Sequence, residues 1–177
     1  MSVSMSTAKS DDIPFMAEQI SAGAKDGHFD ARLSTDAGLV LIQNDVRSIV
    51  EQQRRYDDPS LTAHGLVFRE NGQLVGFAVI SDTPPQLPGK ELYAYYIVPE
   101  QRGKGHGRGL LDRLKQRIVS KGESLFVRCL PTSDSMYELL CRSGFVCVGH
   151  NEIGARIMHH PPVATEEGAV GQGKNRR

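Results

Sequence analysis

The stretch IVPEQRGKGHGRGLL, residues 97–111, decides the fold of this chain. Glycine occupies every second position in its middle and alternates with basic residues, in the order Gly103, Lys104, Gly105, His106, Gly107, Arg108 and Gly109. Glycines at this spacing weaken both helices and strands, so the stretch is predicted to be a loop. The first turn of a helix after it exposes unpaired N–H groups at the positive end of the helix dipole. Bare glycines let an anion approach those groups, so the stretch predicts a site for a multiply charged phosphate group such as a pyrophosphate.

Regular elements are predicted on both sides of this loop. Residues 91–98, ELYAYYIV, read as a strand, and apolar residues from Leu110 to Ile118 recur at helical spacing. Asn71-Gly72 between two apolar runs is a strong hairpin signal. Downstream of the loop we predict a strand at 124–130, then a short helix that ends at Gly144, and finally a closing hairpin.

The N-terminal part is less regular. Val3–Ala8 reads as a short strand and Ile13–Ala22 as a helix, whereas Gly23–Gln43 reads as a loop and a second helix is predicted from Asn44. The order of elements predicts an α/β (α+β) fold: a mixed, mostly antiparallel sheet of six to seven strands with about four helices on its faces. A parallel pairing is expected where a helix separates the strands at 91–98 and 124–130.

Composition sets the frame for these elements. A chain of 177 residues suits one domain, predicted to span residues 1–160, and residues 161–177 read as a disordered tail because they have little to bury. Lys+Arg and Asp+Glu are both 21, and this balance argues against nucleic acid as a partner. Apolar runs are too short to span a bilayer, and the three cysteines form no CxxC pair. We therefore expect a cytoplasmic protein with no membrane partner and no metal site.

Two common phosphate-binding loops do not fit the glycine stretch. A GxxxxGK[ST] loop needs a hydroxyl residue after Gly103-Lys104, and Gly105 stands there instead. A dinucleotide GxGxxG loop that begins at Gly103 needs a third glycine where Arg108 stands, so its spacing is not met.

The stretch closely resembles the acetyl-CoA-binding motif of the GNAT superfamily of N-acetyltransferases. In that motif a strand ends in a Val-x-Pro-like turn, here residues 97–99, and Q/R-x-x-G-x-G/A opens a helix. Arg102, Gly105 and Gly107 fill the three fixed positions. The order of elements over residues 3–160 is also that of the family, and SGF at 143–145 is similar to its usual helix-to-strand exit.

The resemblance implies a direct transfer of an acetyl group from acetyl-CoA to a primary amine of a small molecule, protein or peptide. It implies that the backbone amides from Arg102 to Arg108 hold the CoA pyrophosphate, with the His106 side chain facing solvent. It also implies that the backbone of Ile97 and Val98 pairs with the pantetheine arm and that an N–H near Val98 polarises the thioester carbonyl.

The resemblance also nominates acid and base groups. Glu91 lies eight residues before the motif proline, where the family often has its base; a structural anchor at the strand end is the other interpretation. Strand alternation would put Glu91 on one face with Tyr93, Tyr95 and Ile97. The usual tyrosine acid is replaced by Leu140, so either Tyr137, another group or an unaided, solvated thiolate is expected. Ser133, where the family often has a cofactor-binding Asn, would contact the cofactor or cap a helix.

The acceptor has no signature in the sequence. We expect specificity to reside in residues 23–43, in the DTPPQLPG loop and in the last hairpin, where Asp26, Asp30 and Asp36 would meet a cationic acceptor or only solvate a loop. The isolated histidines, His28 among them, are expected to be structural or exposed. A homodimer is possible, and the alternative to an enzyme is a non-catalytic acyl-CoA-binding sensor or regulatory module on the same fold.

Overall fold

The computed structural model describes residues 3–163, which form one sheet with helices on both faces. The predicted tail lies, from residue 164 onward, outside the described residues. The elements are β1 Ser4–Thr7, α1 Ile13–Lys25, α2 Asp36–Arg47, β2 Ala63–Glu70, β3 Gln73–Asp82, β4 Lys90–Ile97, α3 His106–Val119, β5 Leu125–Cys129, α4 Asp134–Arg142, β6 Val146–His150 and β7 Arg156–His160. Their order is the predicted one.

The seven described strands form a mixed sheet in the order β1-β2-β3-β4-β5-β7-β6. All neighbouring pairs are antiparallel except β4 and β5, which α3 connects. This parallel pair is short: only Lys90 with Leu125 and Glu91 with Phe126 are in register. Beyond Glu91 the two strands separate and leave a gap in the middle of the sheet. The predicted fold class and the parallel pairing are confirmed.

The hairpin between β2 and β3 turns at the predicted dipeptide. Asn71 has φ 51° and Gly72 has φ 82°, so both central residues lie in the left-handed region that a two-residue type I′ turn requires. This turn matches the twist of the flanking strands and fixes their register. It places β3 in the centre of the sheet, where β4 pairs with it.

A β-bulge in β4 corrects the predicted alternation of its side chains. Val79 of β3 pairs with Ala94, and the next residue of β3 pairs with Leu92, so Tyr93 is the extra residue on β4. Leu92 and Ile97 therefore pack into the core under α3 and α4, with Tyr95 against it. Tyr93, predicted on the same face as Tyr95, instead packs with the core under α1 and α2.

Helix α2 begins eight residues earlier than predicted, at Asp36 rather than Asn44. Thr35 caps it, and its hydroxyl accepts a hydrogen bond from the N–H of Gly38 at 3.0 Å. A Cβ on Gly38 would lie 2.3 Å from the carbonyl oxygen of Arg32, so glycine is what lets the helix pack on the turn before it. The glycine that reads as a loop signal in the sequence is thus a packing residue inside a helix.

Candidate active site

Two cavities meet at the gap between β4 and β5. The first, the loop cavity, has a volume of about 430 Å³ and lies between the glycine stretch and α4. The second, the sheet cavity, has a volume of about 420 Å³ and lies between α2, β4, β5 and the loop before β7. Four side chains line both cavities and mark their junction: His28, Tyr95, Ser133 and Met136.

The glycine stretch has the geometry that an anion site needs. Gly103 has φ 75° and Gly105 has φ 82°, a conformation that favours glycine at both positions. Gly105 is the N-cap of α3, and no side chain of residues 3–163 caps the helix there. The N–H groups of the first turn, from His106 to Arg108, therefore point away from the helix without a capping partner.

Gly107 keeps the loop cavity open. It lines the cavity, and a Cβ there would lie 3.8 Å from Leu139 and 3.9 Å from Ile97, between the two walls. A Cβ on Gly103, Gly105 or Gly109 would meet no atom of the described chain within 4 Å. The spacing of the glycines thus combines two requirements, a left-handed backbone before the helix and a bare position at its first turn.

The basic side chains of the loop have different tasks. The Nε of Arg102 donates to the carbonyl of Ile97 at 2.9 Å, and its guanidinium lies over the Tyr96 ring, 5.0 Å from the ring centre. Lys104 donates to the side chain of Gln101 at 2.8 Å. Arg102 and Lys104 therefore shape the loop, whereas Arg108 is exposed at the wall of the loop cavity, where its Nε lies 3.8 Å from a carboxylate oxygen of the exposed Asp112.

The His106 side chain does not face solvent as predicted. It turns toward β2, where its Nε2 lies 3.4 Å from a carboxylate oxygen of Glu70, and its side chain is only 14% exposed. The reason is that His106 is the first residue of α3, whose side chains on this face pack toward the sheet. Its backbone N–H still belongs to the uncapped first turn.

The backbone at the end of β4 uses one edge for the sheet and leaves the other to the gap. The N–H of Val98 donates to the carbonyl of Val75 at 3.0 Å, so this amide is engaged by β3. Because N–H groups alternate between the two edges of a strand, the N–H of Ile97 points toward the gap. The N–H of Ile97 is therefore free to face the gap and that of Val98 is not, while the amide role predicted near Val98 and the contact of the cofactor with this backbone both stay predictions.

Glu91 lies in a buried cluster of charges. One carboxylate oxygen accepts from Nε of Arg128 at 2.5 Å and the other from Arg55 at 3.3 Å. Both guanidinium groups lie over the ring of Tyr93, 4.3 Å and 5.8 Å from its centre. Glu91 is not among the residues that line either cavity. Its geometry fits the structural-anchor interpretation, and its role as a base stays a prediction.

Tyr137 lies away from the two cavities. Tyr137 is absent from the lining of both, and the guanidinium of Arg156 lies over its ring at 4.4 Å. The neighbouring Cys141 thiol raises the pKa of Tyr137. Leu140, at the position where the family often has its acid, is fully buried in the core. The acid role of Tyr137 stays a prediction that this placement does not favour.

Ser133 lies at the junction, in contact with a residue that the sequence did not point to. It is the N-cap residue of α4, yet its hydroxyl makes no capping bond; its Oγ lies 3.4 Å from Nδ1 of His28. The other ring nitrogen of His28 lies 3.3 Å from a guanidinium nitrogen of Arg102. Burial lowers the pKa of His28, and the charge of Arg102 lowers it further. His28 and Ser133 lie 105 positions apart in the sequence, so no local pattern signals this contact.

Three carboxylates line the sheet cavity, and two of them are paired. Asp30 is paired with Arg32, and Asp57 with Arg55. The third, Asp45 of α2, accepts the backbone N–H of Tyr56 at 3.1 Å and forms no ion pair with any residue of 3–163. Burial raises the pKa of Asp45, and the nearby charge of Asp57 adds to this. Of the three predicted aspartates only Asp30 lines the cavity; Asp26 and Asp36 do not.

Among residues 3–163, no group of three or more His, Cys, Asp or Glu side chains is placed to hold a metal ion. None of the helices in this range is both long and apolar enough to cross a membrane.

Comparison with known proteins identifies the family. Residues 42–163 match the sequence model of the acetyltransferase (GNAT) domain, whereas a search among curated proteins gave no match. The fold is similar to PaiA N-acetyltransferase from Thermoplasma acidophilum, crystallised with coenzyme A, at 15% identity and a TM-score of 0.66 over 91% of this chain and 99% of that one. It is also similar to an aminoglycoside acetyltransferase in complex with coenzyme A, at 16% identity and a TM-score of 0.64 over 90% and 95%.

A third similar structure comes from Corynebacterium glutamicum and is described as a histone acetyltransferase and related acetyltransferase; it has 21% identity and a TM-score of 0.68 over 94% of this chain and 99% of that one. At these identities the three structures show the fold alone. The family model covers more than half of the chain, and the matched range contains the glycine stretch, β4 and β5. The chain therefore belongs to the GNAT acetyltransferase family.

Proposed function

We propose that this protein transfers an acetyl group from acetyl-CoA to the nitrogen of a primary amine. The observation that carries the proposal is the junction of the two cavities: one has the features of a phosphate site, the other is a separate apolar pocket, and they meet where β4 and β5 separate. Two similar structures, the PaiA and aminoglycoside acetyltransferases, hold coenzyme A. A cofactor in one cavity and an acceptor in the other would meet at this junction.

The residues of the loop cavity fit coenzyme A. The uncapped amides between Arg102 and Arg108 would hold its pyrophosphate, the side chain of Arg108 would add a positive charge, and Gly107 leaves the space that a Cβ would fill. The N–H of Ile97 at the gap would hold the pantetheine arm or the thioester oxygen. When bound, acetyl-CoA supplies an acetyl group that is activated as a thioester.

The junction supplies a donor for the leaving sulfur. Arginine is always a donor, so its contact assigns Nε2 of His28 as an acceptor and leaves the ring proton on Nδ1. Nδ1–H then donates to Ser133, which leaves the serine hydroxyl proton free to point into the junction. In this role Ser133 would stabilise the departing thiolate by a hydrogen bond, as the group that stands in for the tyrosine missing at Leu140.

Release of the CoA thiol tests the proposal. Acetyl-CoA is incubated with the protein and a panel of arylalkylamines, polyamines, aminoglycosides and peptides, and the acetylated product is identified by mass spectrometry. We expect thiol release that depends on one class of amine. CoA binding without release on any acceptor would overturn the enzyme and support the non-catalytic CoA-binding module.

A matched pair of glycine variants shows whether release comes from the loop cavity. Gly107→Val would place a side chain between Leu139 and Ile97, whereas Gly109→Ala points a methyl group into open space. We expect Gly107→Val to abolish CoA binding and thiol release and Gly109→Ala to retain both. Equal binding by the two variants would mean that the cofactor lies elsewhere.

A further inference from the structure

We infer that the acceptor is an amphipathic primary amine, and that Asp45 binds its ammonium group and takes its proton. This inference rests on the proposed function and names the substrate class of the same site. It rests on three features of the sheet cavity: its size, the apolar side chains at its mouth and the single carboxylate in its wall without an ion-pair partner in the described chain.

The size and walls of the cavity suit a small molecule with an apolar body. A volume of about 420 Å³ lies in the range of small-ligand pockets, which are roughly 300–1,000 Å³. Its lining includes Leu41, Tyr56 and Ile153, each more than half exposed. Large apolar side chains that remain exposed around a pocket indicate a partner that covers them, and here the partner is the body of the acceptor.

The charge of the cavity suits one cation. Asp30 and Asp57 are compensated by Arg32 and Arg55, so neither offers a full charge to a ligand. Arg128, the arginine in the cavity wall, is compensated by Glu91. Asp45 alone is left to receive an ammonium group, and the Tyr56 N–H holds its carboxylate in place.

The surroundings of Asp45 also suit proton transfer. Its neighbours are Tyr93 on β4 and the Arg55–Asp57 pair in the loop after α2, and burial is the largest cause of the rise in its pKa. A carboxylate that is partly desolvated accepts a proton more readily than an exposed one. The same burial that makes Asp45 a poor free anion makes it a better base.

A proton passes from the ammonium nitrogen to a carboxylate oxygen of Asp45, which frees the nitrogen lone pair. The nitrogen forms the new N–C bond to the acetyl carbon as the C–S bond breaks, and the sulfur keeps the electron pair of that bond. The surplus proton on nitrogen passes to the sulfur, and Asp45 returns its proton to solvent.

Binding to the CoA-loaded protein tests the recognition without any turnover. The probes are 2-phenylethylamine, its neutral isostere 2-phenylethanol, and spermidine, a cation with little apolar surface. The variant is Asp45→Asn, which keeps an oxygen for the Tyr56 N–H, and the control is Asp30→Asn on the same wall. In calorimetry, we expect Asp45→Asn to bind phenylethylamine at least tenfold more weakly than wild type. The affinity of Asp30→Asn for phenylethylamine should stay within twofold of wild type, and neither variant should change the affinity for phenylethanol.

Rates separate this inference from the proposed function. We expect Asp45→Asn to release thiol at least a hundredfold more slowly than wild type at pH 7. The rate of the variant should rise toward that of wild type as the pH approaches the range where the amine is unprotonated. Unchanged phenylethylamine binding by Asp45→Asn, or tighter binding of spermidine than of phenylethylamine, would overturn the inference. Turnover of polyamines or peptides alone would support the proposed acetyltransferase function and overturn the inferred substrate class. Binding that depends on Asp45 without any thiol release would overturn the function and keep the recognition.

Discussion

The substitution Glu91→Gln decides between the two interpretations of this residue. It removes the charge that Arg55 and Arg128 share and keeps the volume and one acceptor oxygen. The side chains of Glu91 and Arg55 are each only 8% exposed, so the variant leaves a buried guanidinium with less compensation. As a structural anchor, Glu91 should therefore be important for stability, whatever its role in the reaction.

The expected loss in the free energy of unfolding follows from the burial of the ion pairs that Glu91 forms. Removing one partner of a buried ion pair costs about 3–5 kcal/mol, and the half-exposed pair with Arg128, at 47%, adds only about 0–1 kcal/mol. Arg55 keeps Asp57 as a partner, which places the expected loss at the lower end, about 3 kcal/mol. For a chain of this length each kcal/mol lowers Tm by about 2–4 °C, so Tm should fall by about 6–12 °C.

Urea unfolding and calorimetry measure this loss, with a surface pair as the control. Glu138→Gln breaks an exposed helical pair with Arg142, which should cost about 0.3–0.5 kcal/mol. A loss below about 1 kcal/mol for Glu91→Gln would refute the burial argument. The acetyl-transfer rate of the folded variant tests the base: a rate that falls while CoA binding persists supports Glu91 as the base in place of Asp45, and an unchanged rate at neutral pH excludes Glu91 and leaves that role to Asp45.

Three further predictions concern the junction and the cavities. Gly107→Val should weaken CoA binding in calorimetry by at least a hundredfold relative to Gly109→Ala, because only the first side chain enters the loop cavity; equal affinities would contradict it. Ser133→Ala should lower kcat about tenfold with little change in the KM for the amine, since it removes a donor to the departing sulfur, and a change confined to KM would contradict that role. Asp45→Asn should raise Tm at pH 7: the folded pKa of Asp45 lies above its ordinary value of 3.8, so its ionisation disfavours the fold as pH rises through that range. This gain in Tm should vanish in thermal scans at pH values below 3.8, where Asp45 is protonated in both states, and a Tm below that of wild type at pH 7 would contradict the prediction.

The parts of the fold that could be predicted from the sequence are those fixed by local residues. The Asn71-Gly72 turn and the glycine stretch state their backbone requirements within a few positions, and both lie where they were predicted. The start of helix α2 could not be found in this way, because Gly38 serves a contact with Arg32 that only the packed structure shows. The bulge at Tyr93 was missed for the same reason: it arises from the pairing of β4 with β3.

In the candidate site, too, the sequence predicts the local part and misses the contacts between distant residues. The backbone that we propose to hold the cofactor is local, so its residues could be named from the motif. The junction joins His28 to Ser133 across 105 positions, and the wall of the sheet cavity joins Asp45 of α2 to Tyr56 after it. These pairs come together only because α1, α2 and the loops that follow them fold over the gap in the sheet. A single sequence carries no signal for such contacts, so the acceptor side had to be found in the structure.

Acetyl transfer from the loop cavity to an amine in the sheet cavity is the central claim, and one measurement tests it most directly. Acetyl-CoA and 2-phenylethylamine are incubated with the wild-type protein, and CoA thiol and N-acetylated amine are quantified in the same samples by mass spectrometry. The account predicts that the two products appear in equal amounts and that both disappear with Gly107→Val. Thiol release without acetylated amine, or the absence of both products while CoA and the amine are bound, would contradict it.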